Sequence, residues 1–367
     1  MLNLANELCE QNYEVNILFL MKGDHTFYEI NPKIKIHTLH SFGHWGISKI
    51  SPLLDKYLNN FKYRFNLKKY LYDFGQWDIM MKWLKKNHHD YDVILSSWYK
   101  LSSQIAVNKD IAKKTLAWEH SNFNVGGKIW GDILRKKYKN LAGIICINQA
   151  STAYYQHLNS NVNLIPNIVG EPFENISKID FDLKENKLIY VGRLDHEKNV
   201  KTIIDIISET DLKDFQLKII GDGPETDSLK QQIKAKNLES KIILTGRLPI
   251  DKIREELLKS KIFLFTSTNE AFGMVLLEAM FCGNALISYN CNYGPSDLIN
   301  EKNGFLIPMN DKKQFQEKLQ NLIDSPYILS NIMKSSFEES LHWRKEKTLV
   351  QWEEILNNIS CRNLNKE

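Results

Sequence analysis

Short runs rich in Ile, Val and Leu alternate along the chain with longer stretches whose apolar residues recur every three or four positions. That alternation predicts βα units and parallel sheets. The strand-like runs of the first half are Val15–Leu20, Ile34–Leu39, Val93–Ser96, Thr115–Trp118, Gly143–Ile147 and Val162–Ile165. Those of the second half are Lys187–Val191, Gln216–Ile220, Lys241–Leu244, Ile262–Thr266, Ala285–Ser288 and Gly304–Ile307. Most are near-continuous apolar runs, as strands covered on both faces require. Helical periodicity lies between them at Asn199–Ser208, Thr226–Lys236, Ile253–Lys259 and Val275–Cys282. Pro166–Lys184 carries two prolines and no sustained period, and it reads as the linker. The expected fold is therefore α/β, two doubly wound Rossmann-like domains facing a cleft. Residues 1–168 would form the first domain and 169–367 the second, with the final helices packing back on the first. Ligands of such sheets bind at the carboxyl ends of the strands.

The amino end breaks the pattern. The chain opens on a helical stretch, Leu2–Gln11, whose apolar Leu4 and Leu8 need a sheet to cover. A strand and its turn normally precede such a helix, so the first strand of the N-terminal domain is expected to be missing.

Composition changes this picture little. A chain of 367 residues, 43% hydrophobic and 25% charged, suits two globular domains. No apolar run nears the roughly 18 residues of a membrane span, and the start lacks a basic segment followed by an apolar one. Five scattered cysteines (Cys9, Cys146, Cys282, Cys291, Cys361) show no C-x-x-C and read as reduced thiols. A cytoplasmic protein is expected. Charge is uneven: residues 1–165 hold 21 Lys/Arg against 13 Asp/Glu, the remainder 27 against 31. The basic half also holds six of the eight tryptophans, which suits an anionic partner.

Candidate chemistry gathers at strand ends. After the strand ending at Val191 come Gly192, where backbone can turn closely, then Arg193 and Lys198 before the next helix. A forked and a point cation there suit a diphosphate, although a solvated loop would also accept them. After Ile262–Thr266 a polar turn leads to Glu270, then Gly273 at a helix entrance and Glu278 one turn inside. The N–H groups of Phe272, Gly273, Met274 and Val275 would form an anion site at the positive helix end. Glu278 lies in an apolar stretch, where an ionised carboxylate needs donors such as ribose hydroxyls or protein groups. In the first half, Glu119 and His120 end a buried strand and would face the cleft. The turns Gly221-Asp222-Gly223-Pro224 and Asn292-Tyr293-Gly294-Pro295-Ser296-Asp297 lie where a nucleotide could approach backbone.

Metal chemistry finds no support. Asp90-Tyr91-Asp92 falls at the wrong end of its strand and Asp180-Phe181-Asp182 in the linker. No metal-spaced cluster, dinucleotide fingerprint or P-loop is present. The stretch Lys49–Lys86 carries nine basic and three acidic residues with interleaved aromatics. It would suit an anionic lipid surface or a solvated helix face. Nucleic acid is a poorer partner, because the charge is local and no reading module is present.

In combination these segments resemble the retaining glycosyltransferase family 4, of the bacterial surface-polysaccharide type. The matches are Gly192-Arg193-Leu194 with Lys198, the turn Gly221-Asp222-Gly223-Pro224, and the E-x7-E element from Glu270 to Glu278. Ile165-Pro166-Asn167 and Asn303-Gly304-Phe305 match more weakly. The resemblance implies the GT-B fold and a metal-independent hexosyltransferase with no cofactor. Its co-substrate would be a nucleotide-sugar, UDP-linked by family frequency and bearing a hexose or N-acetylhexosamine. The acceptor would be a glycan or polyprenyl-linked molecule in capsule, lipopolysaccharide or exopolysaccharide synthesis, reached at the inner face of the plasma membrane. Arg193 and Lys198 would neutralise the leaving diphosphate, Glu278 would bind ribose, and Glu270 with the amides of Phe272–Val275 would hold sugar and phosphate. His120 matches the histidine beside the donor sugar. A nucleotide-sugar epimerase on the same fold, or an impaired nucleotide-sugar-binding remnant, are the alternatives.

Overall fold

The computed structural model describes residues 1–20, 29–39 and 67–364. Twelve strands form three parallel sheets. β1 (Asn16–Phe19) pairs with β2 (Lys35–Thr38). β3 (Ile94–Ser96), β4 (Thr115–Glu119), β5 (Gly143–Cys146) and β6 (Val162–Leu164) follow one another in a four-stranded sheet. Among the described residues these two sheets share no ladder. The second half makes one six-stranded sheet in the order β12-β11-β10-β7-β8-β9. Its strands are β7 (Lys187–Val191), β8 (Gln216–Ile220), β9 (Ile242–Gly246), β10 (Ile262–Phe265), β11 (Ala285–Tyr289) and β12 (Gly304–Ile307).

Every apolar run named above becomes a strand. The physical reason is visible in burial: all of β4, β5, β10 and β11 is buried. Residues covered on both faces cannot hide a polar alternation, so the runs stand out. Chain order alone does not give the reversal between β7 and β10, from which β8 and β9 extend one way and β11 and β12 the other. A ligand crevice opens at the carboxyl ends of strands flanking such a reversal.

One apolar core fills one face of the six-stranded sheet, with Leu188, Ile203, Leu217, Ile287 and Phe315 among its members. A second core joins the two halves. It combines Leu4, Leu8, Trp118 and Ile147 with Phe263, Leu277 and Met280, and with Leu349, Trp352, Leu356 and Ile359 of the last helix, Lys345–Leu364. Trp352 meets Trp118 edge-on at 4.8 Å between ring centroids, and Lys345 Nζ reaches Glu7 Oε1 at 2.8 Å. The segment between the sheets contains only one short helical turn, Phe181–Leu183, yet it is packed. Phe173 and Ile176 are buried, and the Arg344 guanidinium donates to the carbonyls of Glu174 and Ile176.

Of the basic, aromatic stretch 49–86, residues 49–66 lie outside the described residues. The remainder belongs to helix Leu67–Asn87, where Trp77 and Trp83 pack against a small core of Met80, Met81 and Leu84. Among the described residues no helix is long and apolar enough to cross a membrane.

Candidate active site

The site is built from the loops that follow β7 and β10, the two strands flanking the reversal. β7 delivers Gly192, whose N–H donates to the Ile220 carbonyl at 3.0 Å. The backbones of the two Gly turns are in close contact here. A Cβ on Gly221 (φ +151°) would lie 1.8 Å from the Gly192 carbonyl oxygen, and one on Gly223 would lie 2.3 Å from that of Leu194. Asp195 then organises the loop: its backbone and side-chain oxygens accept from Lys198 N–H, and its carboxylate pairs with Arg193. Arg193 is largely exposed, so its guanidinium is held at the mouth by one carboxylate.

The β10 loop is fastened to the β7 loop by a hydroxyl group and a backbone N–H. Thr266 Oγ1 donates to the Asn199 carbonyl at 3.0 Å, and Thr268 N–H to the Glu197 carbonyl at 2.7 Å. That lacing brings Lys198 Nζ onto Glu270 Oε1, where Ser267 Oγ also lies at 2.9 Å. A cation and a carboxylate 72 positions apart thus share one mostly buried spot. Beyond Glu270, Phe272 is buried against Trp343, and Gly273 (φ +89°) turns the chain into helix Met274–Phe281. The left-handed backbone explains a glycine at that entrance. The first-turn N–H groups of Met274 and Val275 have no acceptor inside the helix.

Glu278 stands one turn further in. Its carboxyl is partly buried, makes no hydrogen bond to the described residues, and burial alone pushes its pKa up to about 7. A carboxyl so placed is short of donors. It is suited to a ligand that brings hydroxyls.

The first half contributes across the cleft. His120 follows β4 with its ring 4.3 Å from that of Trp118 and its buried Nε2 unpartnered. Burial, then the positive amino terminus of Met1, push its pKa down to about 3. The ring is neutral at physiological pH, a hydrogen-bonding group rather than a charged one. Glu119 does not face the cleft as expected from its position. It is buried inside the first half, accepts from the hydroxyls of Tyr138 and Tyr155, and has its pKa raised by burial. Two adjacent residues at a strand end point to opposite faces, so only one could line the cleft.

The sequence reading gave no sign of three contacts across the cleft. Asn122 Nδ2 donates to Asn269 Oδ1 at 2.6 Å and to the Glu270 carbonyl at 3.1 Å. Asn148 Nδ2 donates to the Ala271 carbonyl at 2.7 Å while its Oδ1 caps helix Gln149–Tyr155. Asp297, in the Asn292–Asp297 loop, accepts from Gln149 N–H at 3.1 Å. Asn148 is of a residue type suited to an N-cap. Its reach to Ala271 exists only once the halves meet.

Two facing parallel α/β units with the ligand loops at the reversal of the second sheet make this a GT-B fold. Residues 173–339 match the family model described as Glycosyl transferases group 1. The chain is 30% identical over 200 residues to the amylovoran biosynthesis glycosyltransferase AmsD of Erwinia amylovora, a match that covers 54% of this chain and 56% of that one. It therefore spans little more than half the length of this relative. A second relative, 24% identical over 371 residues, is a Campylobacter jejuni protein. It is the alpha-1,4-N-acetyl-D-galactosaminyltransferase that acts on GalNAc-alpha-(1->4)-GalNAc-alpha-(1->3)-diNAcBac-PP-undecaprenol, and the match covers 98% of this chain and 94% of that one. Among solved structures, Anabaena HepE in complex with UDP and glucose superposes with a TM-score of 0.67 at 18% identity, over 89% of this chain and 87% of that one. At that identity the structural likeness speaks for the fold.

Proposed function

We propose that this chain is a retaining, metal-independent glycosyltransferase that moves a hexose or N-acetylhexosamine from a UDP-sugar to a glycan or polyprenyl-linked acceptor in cell-surface polysaccharide synthesis. The observation that carries the reading is the Lys198–Glu270 pair at the carboxyl ends of β7 and β10, with Asn122 of the opposite half on the Glu270 carbonyl. The names of the AmsD and Campylobacter relatives support a polysaccharide or lipid-linked glycan as product, and the UDP bound to HepE supports the nucleotide.

The chemistry follows from charge. Breaking the bond between sugar and diphosphate leaves a sugar with oxocarbenium character and an extra negative charge on the leaving group. Lys198, Arg193 near the mouth and the first-turn amides of Met274–Phe281 would meet that charge as it develops, each such donor worth roughly 10²–10³-fold in rate. Glu270, half-neutralised by Lys198, is placed to accept from sugar hydroxyls, and Glu278 from ribose. Retention has the acceptor hydroxyl attack on the face that the diphosphate leaves, and the diphosphate can take its proton. No separate base is needed. We also propose that the boundary between the two domains falls between residues 168 and 169, in the segment before β7.

Binding is tested first by UDP. At about 100-fold its Kd, UDP should add roughly 2.7 kcal/mol to the unfolding free energy. That gain should be largely lost in Lys198→Ala and partly in Arg193→Ala. Absence of any UDP-induced stabilisation in the wild-type protein would overturn the choice of nucleotide.

A further inference from the structure

The loop that leaves the cleft after Asn122 ends in a patch that nothing in the site explains. Val125, Ile129, Trp130 and Ile133 are 41, 71, 68 and 47% exposed, although each is a residue type that folding normally hides. Val125 lies in the turn before a continuous helical run, residues 127–140, and the other three occupy the start of that run. By helical stepping Ile129 and Ile133 stack one above the other, with Trp130 beside them. Lys136, Lys137 and Lys139, all exposed, continue the same run. The one acid of the run, Asp132, already accepts from Tyr154 Oη at 2.8 Å.

The exposure is built in. The inner side of the run is committed to the first half: buried Arg135 donates to Tyr155 Oη at 2.7 Å and to the Val125 carbonyl at 2.9 Å, and lies over the Tyr99 ring. Gly126 (φ +96°) passes so close to Tyr99 that a Cβ there would lie 2.6 Å from the phenolic oxygen. With that face fixed, the apolar side chains have no inward alternative. In contrast, Trp77 and Trp83 of the basic stretch 49–86 pack against a core.

We propose that Val125, Ile129, Trp130 and Ile133, with Lys136 and its neighbours, form a docking surface for an anionic lipid bilayer. An aliphatic and Trp cluster flanked by three lysines against one acid fits the boundary between headgroups and acyl chains. The geometry also gives the docking a purpose. Asn122 holds the Glu270 carbonyl, and Val125 lies three positions further along the chain, a reach of at most about 11 Å. A lipid-linked acceptor rising from the bilayer at this patch would enter at the rim of the cleft. The inference rests on the lipid-linked acceptor proposed above.

The test uses the full chain, without nucleotide, and vesicles of phosphatidylcholine with or without about one third phosphatidylglycerol. The wild-type protein should co-sediment with the anionic vesicles and do so less as salt rises. The triple variant Ile129→Ser, Trp130→Ser, Ile133→Ser should bind them at least about tenfold more weakly while keeping its UDP-induced stabilisation. Should that variant not fold, Trp130→Phe serves: it should remove most of the quenching of protein fluorescence by brominated lipid. Equal vesicle binding by the triple variant, unchanged quenching in Trp130→Phe, or a wild-type protein indifferent to anionic lipid would overturn the docking surface. So would a triple variant that turns a dimer into a monomer with vesicle binding intact, which assigns the patch to a second copy. Failure to glycosylate a detergent-solubilised lipid-linked acceptor would count against the acceptor, and leaves vesicle binding as a separate readout.

Discussion

Glu278 shows how a single side chain can report on its ligand. Its carboxyl titrates near 7 because the surroundings remove water and supply no donor. A ligand whose hydroxyls donate to the carboxylate lowers that pKa, so binding must release a proton below the free-state value and tighten as pH rises. Uridine, which carries no phosphate to complicate the titration, should bind about tenfold more tightly per pH unit up to about 7 and then level off. Glu278→Gln should flatten that profile. A wild-type profile already flat would remove Glu278 from the ribose site. The sequence made this residue legible, since a carboxylate among Val275, Leu276, Leu277, Ala279 and Met280 is conspicuous. Lys184 gave no such signal, because its surroundings come from distant parts of the chain. It is buried, donates to the carbonyls of Leu257 and Ser260, and burial pushes its pKa down to about 7. Asn284 Nδ2 donates to the same two carbonyls, so they keep a partner without the lysine. The folded-state pKa lies below the unfolded one, so the unfolded chain binds more protons between the two values and stability rises with pH there. Lys184→Met should therefore gain stability relative to the wild type at about pH 6, and the difference should shrink by about pH 9, as read by urea midpoints.

Elements explain which parts of the site could be read in advance. Fully buried parallel strands declare themselves as apolar runs, and residues at their carboxyl ends, Arg193, Lys198 and Glu270 among them, are then candidates by position alone. What the runs do not contain is sheet order. The meeting of Lys198 with Glu270 depends on β7 lying beside β10, with two strands and 70 residues of chain between them. The Gly turns carry a related lesson. Gly221 and Gly223 read as phosphate-side turns, yet their missing side chains first of all let the β8 loop sit on Gly192–Leu194. Gly221→Ala should destabilise the fold by about 2–4 kcal/mol, since a Cβ there meets backbone that cannot give way. A melting temperature within one degree or so of the wild type would show that the two loops can separate.

On the scale of the whole molecule, the last helix ties the halves together. Trp352 is completely buried in the core shared by Trp118, Leu4 and Leu8 and by the Met274–Phe281 helix. Trp352→Ala should cost about 3–5 kcal/mol. Because the His120 ring lies against that of Trp118, UDP-sugar turnover should fall with it even below the melting temperature. Around this tie a cavity of about 530 Å³ remains between Gln149, Asp297, His342 and Lys347. Polar groups from both halves line it beside the core that they share. The proposed sugar transfer in the cleft above Lys198 and Glu270 is open to a panel of nucleotide-sugars assayed with lipid-linked acceptors, the anomeric configuration of the product read by NMR. A UDP-sugar should be consumed with retention, and Glu270→Ala should lose about 1.5–3 kcal/mol of transition-state stabilisation, roughly ten- to hundredfold in turnover. Inversion at the anomeric carbon, or unchanged turnover in Glu270→Ala, would contradict it.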